Sequence, residues 1–378
     1  MRILFFLVVV SFNVLGQKSF PAFELGAGRI LPNYPGHPSA PLSLSVSASL
    51  CQSNEHTSWG SNFRNPETGL ALRLAYLGNN EILGNQISVY PFVNFQLNKK
   101  PKPIYLKLGL GLALFNKPYD SITNKSNQVL GSVLSWHFNG TFYKTLMRTN
   151  DYEFRLGLGY YHASNGHIQI PNYGLNAFLL SGEILLRNST RLKSIQAYTK
   201  DTSLSYWVVE HRIGLGVHEL AGTTTPVGGP KYTVLTTGFN VGYIPRNHIK
   251  WKAGLIGRYY TSYYHYMYDR NRNPRLLDAS SIHLMIGSEF FLGHVGLDVE
   301  LGVCLYRPFF REFYDQFVDR SERDYFLKNL FNNRLGLNYY LINPYKRPKY
   351  NVKVGGHINA NFGQADFSDL TVGFVYRL

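Results

Sequence analysis

Cysteine is nearly absent from this chain: Cys51 and Cys304 are the only two among 378 residues. Two are too few for a disulfide framework, and neither has neighbours at metal-ligand spacing. Both are expected to be unpaired structural residues. Acidic residues are also sparse, 23 against 38 lysines and arginines, a formal net charge of +15. The basic residues do not gather on one helix or patch, so nucleic acid is not an expected partner. Anionic lipid headgroups suit an exported basic protein better.

Long apolar runs are missing too. Met1, Arg2 and the short run Ile3 to Val10 have the charge and length of a secretory signal, with Gly16 at the cleavage point. Residues 1–16 are therefore set apart from the fold, and no cysteine stands there for a lipid anchor. Beyond them no stretch approaches the ~20 apolar residues that a membrane-spanning helix needs. Phosphate loops, dinucleotide fingerprints and zinc motifs are absent, so no cofactor and no metal are expected.

What is present is alternation. Leu42, Leu44, Val46, Ala48 and Leu50 interleave with Ser43, Ser45, Ser47 and Ser49. Ile104 to Leu114 and Val295 to Leu305 repeat the pattern, a period of two that belongs to β-strands. Such segments run to ~10 residues or more, enough to cross a bilayer at a tilt. Strands in hydrocarbon must close on themselves, because an unpaired edge has no water to bond. The expected fold is an all-β transmembrane antiparallel barrel of the outer-membrane type, apolar side out. The last segment, Leu370 to Leu378, alternates to the end of the chain.

About sixteen segments are found, beginning near Phe23, Leu42, Gly69, Ile82, Ile104, Gln128, Tyr152, Leu175, Leu204, Tyr232, Ile249, Ile282, Val295, Asn333, Asn351 and Phe367. Fourteen is the lower bound, since Gln52 to Pro66, with Trp59, is long for a turn and reads as a small strand or plug. One barrel of about sixteen strands is the favoured closure; an eight-stranded barrel followed by a second barrel is the alternative.

The seventh segment carries the chemistry. Tyr152, Phe154, Leu156, Leu158, Tyr160, His162 and Ser164 share the apolar face, while Glu153 and Arg155 face the lumen. Residues two apart on a strand lie on one side, about 6.5–7 Å apart along it, which rotamers can close to a hydrogen bond. His162 and Ser164 thus form a possible base and nucleophile. In the eighth segment Asn176, Phe178 and Leu180 share the outer parity, and a hairpin brings Asn176 opposite the pair, close enough to hold the imidazole. With an N-terminus in the periplasm, that hairpin lies at the outer leaflet, where lipopolysaccharide is found.

The order His162, Ser164, Asn165, then Pro171, Asn172 and Gly174, resembles the lipid A 3-O-deacylase (PagL) family of outer-membrane acyloxyhydrolases. Trp59, Asn65, Pro66 and Gly69, with Asn127, Gly131 and Ser132, add to the likeness, which covers roughly Phe20 to Arg187. The resemblance implies an eight-stranded barrel and a carboxylic ester hydrolase in which Ser164 attacks, His162 is the base, and Asn165 and Gly166 supply the oxyanion hole. It implies a lipid A substrate and a location integral to the outer membrane of a Gram-negative-type bacterium. The family's acidic partner of the histidine falls here on Asn176, whose carbonyl accepts an imidazole N–H but stabilises imidazolium less. Phe154, Leu156, Leu158, Phe178 and Leu180 form the greasy face expected to hold the acyl chain. Asn172 and Gly174 read as turn formers.

The expected organisation is a signal over 1–16, the deacylase-like part over 17–190, and further strands over 191–378. Membrane lipids are the expected surroundings, and a homodimer is left open. The competing class is a porin or structural barrel without catalysis.

Overall fold

The structure is a computed structural model that describes residues 19–55, 57–187, 205–318 and 321–378. The segment expected to be an export signal and part of the connection between the two halves lie outside the described residues. Sixteen strands are present, and they close as two barrels of eight.

The first comprises β1 (Ser19–Ile30), β2 (Ser43–Ser53), β3 (Glu67–Tyr76), β4 (Asn85–Gln96), β5 (Ile104–Phe115), β6 (Leu134–Arg148), β7 (Tyr152–Ser164) and β8 (Leu175–Leu186). Its neighbours are consecutive and antiparallel, and β1 pairs with β8 to close it. The second comprises β9 (Tyr206–Glu219), β10 (Lys231–Ile244), β11 (Ile249–Tyr260), β12 (Ser280–Leu292), β13 (Val295–Tyr306), β14 (Phe331–Tyr340), β15 (Tyr350–Asn361) and β16 (Gln364–Arg377), closed by β16 against β9. The favoured single barrel is therefore corrected to the alternative. Alternation fixes which face of a strand meets lipid, but the strand on which a sheet closes is set by pairing partners, and β8 pairs with β1 rather than β9. By contact the chain forms two compact units, one for each barrel, the second including Gly166–Asn172.

In the first barrel the outer face is apolar: Leu25, Val46, Leu72, Ile87, Leu158 and Leu180 are all exposed. The inner face is charged and filled. Lys107 lies between Glu24 and Glu183, with N–O distances of 3.1 and 2.8 Å. Arg155 forks onto Glu67 with two bonds of 3.0 Å and stacks on the Tyr105 ring. Burial of these charges is tolerated because Lys107 and Arg155 are both paired with carboxylates and hydrogen-bonded. The end of the barrel that bears the longer connections is closed by Leu77, Leu83, Phe115, Val129, Leu130, Tyr161 and Leu175.

Two local expectations are refined. The strand expected from Gln128 begins at Leu134. Asn127 is the reason: its amide donates to Lys117 O at 2.6 Å and its oxygen accepts from the Val129 and Leu130 amides, folding those apolar residues into the barrel mouth. Of the stretch Gln52 to Pro66, the first two residues end β2 and the rest is a tethered connection with a 3-10 turn over Gly60–Phe63 and Trp59 buried. Asn54 holds it by donating to Pro66 O at 3.0 Å and to the Thr68 hydroxyl at 2.9 Å.

The second barrel repeats the plan. Arg212 is paired with Glu300, and Lys252 with Asp298 and Glu300, all in the interior. Its long connections carry helices α1 (Thr261–Tyr268), α2 (Phe310–Phe317) and α3 (Glu322–Leu330). Tyr260, Tyr263, Phe309 and Phe367 pack as an aromatic cluster beneath them. Cys51 and Cys304 are both free.

Candidate active site

Strand β7 reaches the end of the first barrel that bears the longer connections with its alternation intact. Glu153 and Arg155 are fully buried in the lumen, whereas Leu156 and Leu158 are exposed. His162 and Ser164 continue the outer parity, and Ser164 is the last residue of the strand. Asp151 lies exposed in the turn before β7. That three-residue connection needs a polar solvated residue rather than a lumen charge.

The hairpin register places His162 directly opposite Asn176. His162 Nδ1 and Asn176 Oδ1 are 2.8 Å apart, so the imidazole N–H donates to the amide oxygen. The bond fixes the ring and leaves Nε2 as the nitrogen with a free lone pair. Tyr160, two residues earlier on the same face, donates its hydroxyl to the same oxygen at 2.6 Å. The alternation did not single out Tyr160; its parity with His162 was the available signal. On the other side of β7, Phe138 lies opposite His162 and Trp136 opposite Ser164.

The connection after Ser164 is built to press on this face. Gly174 has a φ of +75°, and a Cβ there would sit 3.0 Å from His162 Cε1 and 3.6 Å from Ser164 Cβ. Glycine is therefore needed both for its backbone and for the close approach. Its position is pinned from two directions. The Asn33 amide donates to Tyr173 O and Gly174 O at 2.9 and 3.0 Å, and the Gly174 amide donates to Val129 O at 3.0 Å. Tyr34 stacks on Tyr173 with ring centroids 4.4 Å apart. Gly174 was read as a turn former only; it is also the floor of the histidine.

Asn165 is buried directly after Ser164, and Gly166 and His167 both have positive φ, 66° and 69°. The chain turns sharply as soon as β7 ends. Phe154, Leu156, Leu158, Phe178 and Leu180 all lie on the outward parity of β7 and β8, with Leu158 61% and Leu180 56% exposed. The structure thus gathers His162, Asn176 and the apolar stripe on the outward parity of β7 and β8, while Ser164, at the end of β7, is buried at 8% exposure. The arginines Arg270, Arg272 and Arg275 are engaged locally, over the Tyr266 ring, with Glu312 and with Asp278. His211 is exposed on the outer face of β9, where it bonds the Thr237 hydroxyl at 3.2 Å.

A closed barrel with an apolar outer face, carrying a histidine held by an amide, is the setting in which the family matches are read. Residues 42–182 match the family model described as lipid A 3-O-deacylase (PagL), and residues 204–378 match that of the acyloxyacyl hydrolase C-terminal domain. The chain belongs to the lipid A 3-O-deacylase (PagL) family, and is an ester-hydrolysing, integral outer-membrane protein.

Among solved structures, the crystal structure of the outer membrane enzyme PagL is 14% identical, covering 43% of this chain and 97% of its own, with a TM-score of 0.33. CdiB from Acinetobacter baumannii is 8% identical over 95% of this chain and 60% of its own, with a TM-score of 0.18. The outer membrane protein opdK from Pseudomonas aeruginosa is 10% identical over 96% of this chain and 99% of its own, with a TM-score of 0.22. No curated protein matches the chain. Family membership rests on the two matched segments, not on these structural likenesses.

Proposed function

We infer that this protein removes an ester-linked acyl chain from lipid A in the outer leaflet by a serine mechanism. The observation that carries the reading is the 2.8 Å bond from His162 Nδ1 to Asn176 Oδ1 on the lipid-facing surface. It selects the tautomer whose Nε2 can take a proton from Ser164, two residues along the same face.

The acyl chain lies along Phe154, Leu156, Leu158, Phe178 and Leu180, where apolar burial replaces its contact with neighbouring lipid. Ser164 Oγ bonds to the ester carbonyl carbon as His162 Nε2 takes the hydroxyl proton. The developing oxyanion is held at Asn165 and Gly166, where the chain turns. The carbon–oxygen bond to the sugar breaks, and His162 returns the proton to the leaving hydroxyl. Water, deprotonated by His162, then cleaves the acyl-serine, releasing a fatty acid and restoring Ser164.

Residues 17–190 hold every group this reaction uses, and the further barrel, β9 to β16, falls within the part expected over 191–378. The site is complete within one copy, so a homodimer is not required. Residues 1–16 are read as the export signal. Lipid A carried in lipopolysaccharide is the intended substrate, and the test is mass spectrometry of lipid A from cells making the native chain, S164A or H162A. Loss of one acyl chain with the native protein alone supports the reading; identical lipid A in all three overturns it.

A further inference from the structure

The acceptor of the histidine here is an amide, and an amide has two unlike ends. A carboxylate presents oxygen whichever way it turns. Asparagine presents oxygen one way and an NH2 the other. Were Asn176 turned over, its Nδ2 would donate to His162 Nδ1, and the imidazole proton would move to Nε2. That tautomer has no lone pair for the Ser164 proton.

Something must therefore hold the amide oxygen toward the imidazole. Tyr160 is placed to do so. Its hydroxyl donates to Asn176 Oδ1 at 2.6 Å, on the same oxygen that receives the imidazole N–H. The Tyr160 ring lies against Phe178, centroids 5.6 Å apart, on a surface otherwise facing hydrocarbon. With the amide reversed, the phenol would have to accept from Nδ2, and its own proton would face an apolar surface. Among the described residues Asn176 Oδ1 is the acceptor of the Tyr160 hydroxyl.

We propose that Tyr160 is a positioning residue that locks the Asn176 amide with its oxygen toward His162, making a neutral asparagine serve where a carboxylate needs no lock. Tyr160 touches neither the ester nor Ser164 in this role; it acts through Asn176. The inference rests on the serine mechanism proposed above and adds a dependence that mechanism alone does not require.

The test is a cycle of Y160F in two backgrounds, native and N176D, using purified protein in detergent micelles with hexa-acylated lipid A and mass-spectrometric detection of fatty acid release. In the native background Y160F lowers kcat about tenfold, the scale of one orienting hydrogen bond, with KM unchanged. In the N176D background Y160F changes kcat by less than about twofold, because either carboxylate oxygen meets the imidazole. Nitrogen NMR of labelled histidine gives a readout independent of turnover: His162 carries its proton on Nδ1 in the native protein and becomes a mixture of tautomers in Y160F. Gel mobility without heating reports whether each barrel is folded. Equal losses in both backgrounds, no loss in the native background, or an unchanged tautomer in folded Y160F overturns the role of Tyr160. Native activity that survives S164A overturns the serine mechanism instead, so the two failures are distinct.

Discussion

His162 sits between an amide oxygen and a glycine, and both contacts are demanding. G174A places a methyl 3.0 Å from His162 Cε1 and forces alanine to a φ of +75°. The backbone cost alone is about 1–2 kcal/mol, and the clash displaces the ring that must reach Ser164. G174A is expected to lower kcat in micelle assays by more than its shift in denaturation midpoint explains; full activity would show that the ring does not depend on this floor. Asn176 makes the opposite kind of prediction. N176E restores a charge that stabilises imidazolium, so fatty acid release is expected to hold or rise, and complete loss would remove Asn176 as the orienting residue. The pairing of His162 with Asn176 was legible in sequence because two parities and one hairpin suffice to align them. Tyr160 shared that parity but not the motif, and Gly174 looked like an ordinary turn, because side-chain bonds and Cβ clearances are three-dimensional facts.

At the scale of the strand, the same alternation that offers lipid a greasy face must bury charges on the other. Lys107 is 1% exposed between Glu24 and Glu183 and lies over the Phe92 ring at 4.6 Å. K107M leaves two carboxylates facing each other in the lumen and is expected to destabilise the barrel by about 3–5 kcal/mol, read as a lower urea midpoint in micelles. The kcat of the protein that remains folded should be unchanged, because Lys107 lies in the interior network and not on the outer face. A stable K107M barrel would mean that the network does not hold β1, β5 and β8 together. All sixteen strand positions were legible from period two. The start of β6 was missed by six residues, Gln128 against Leu134, because Asn127 folds apolar residues inward without making them a strand.

For the molecule, closure was the feature that sequence left open. Alternation is blind to which strands pair, so sixteen strands suited one wide barrel or two narrow ones; pairing of β1 with β8 and of β9 with β16 decides it. The consequence is functional. Barrels of eight strands have interiors that side chains fill, and here Arg155, Tyr143 and Lys107 fill one while Arg258, Arg334 and Lys250 fill the other. Neither lumen is a water-filled pore. Planar bilayers containing the protein are therefore expected to give no unitary conductance steps, and regular steps would favour the channel reading over the hydrolase.

The central claim is that Ser164, at the end of β7, cuts an acyl ester of lipid A. Its most direct measurement is the mass spectrum of lipid A from outer membranes containing the native protein or S164A at equal abundance. The account expects native membranes to lose the mass of one ester-linked acyl chain and S164A membranes to retain it, with residual turnover lower by at least about a thousandfold. Identical spectra, or the same loss in both, would contradict it.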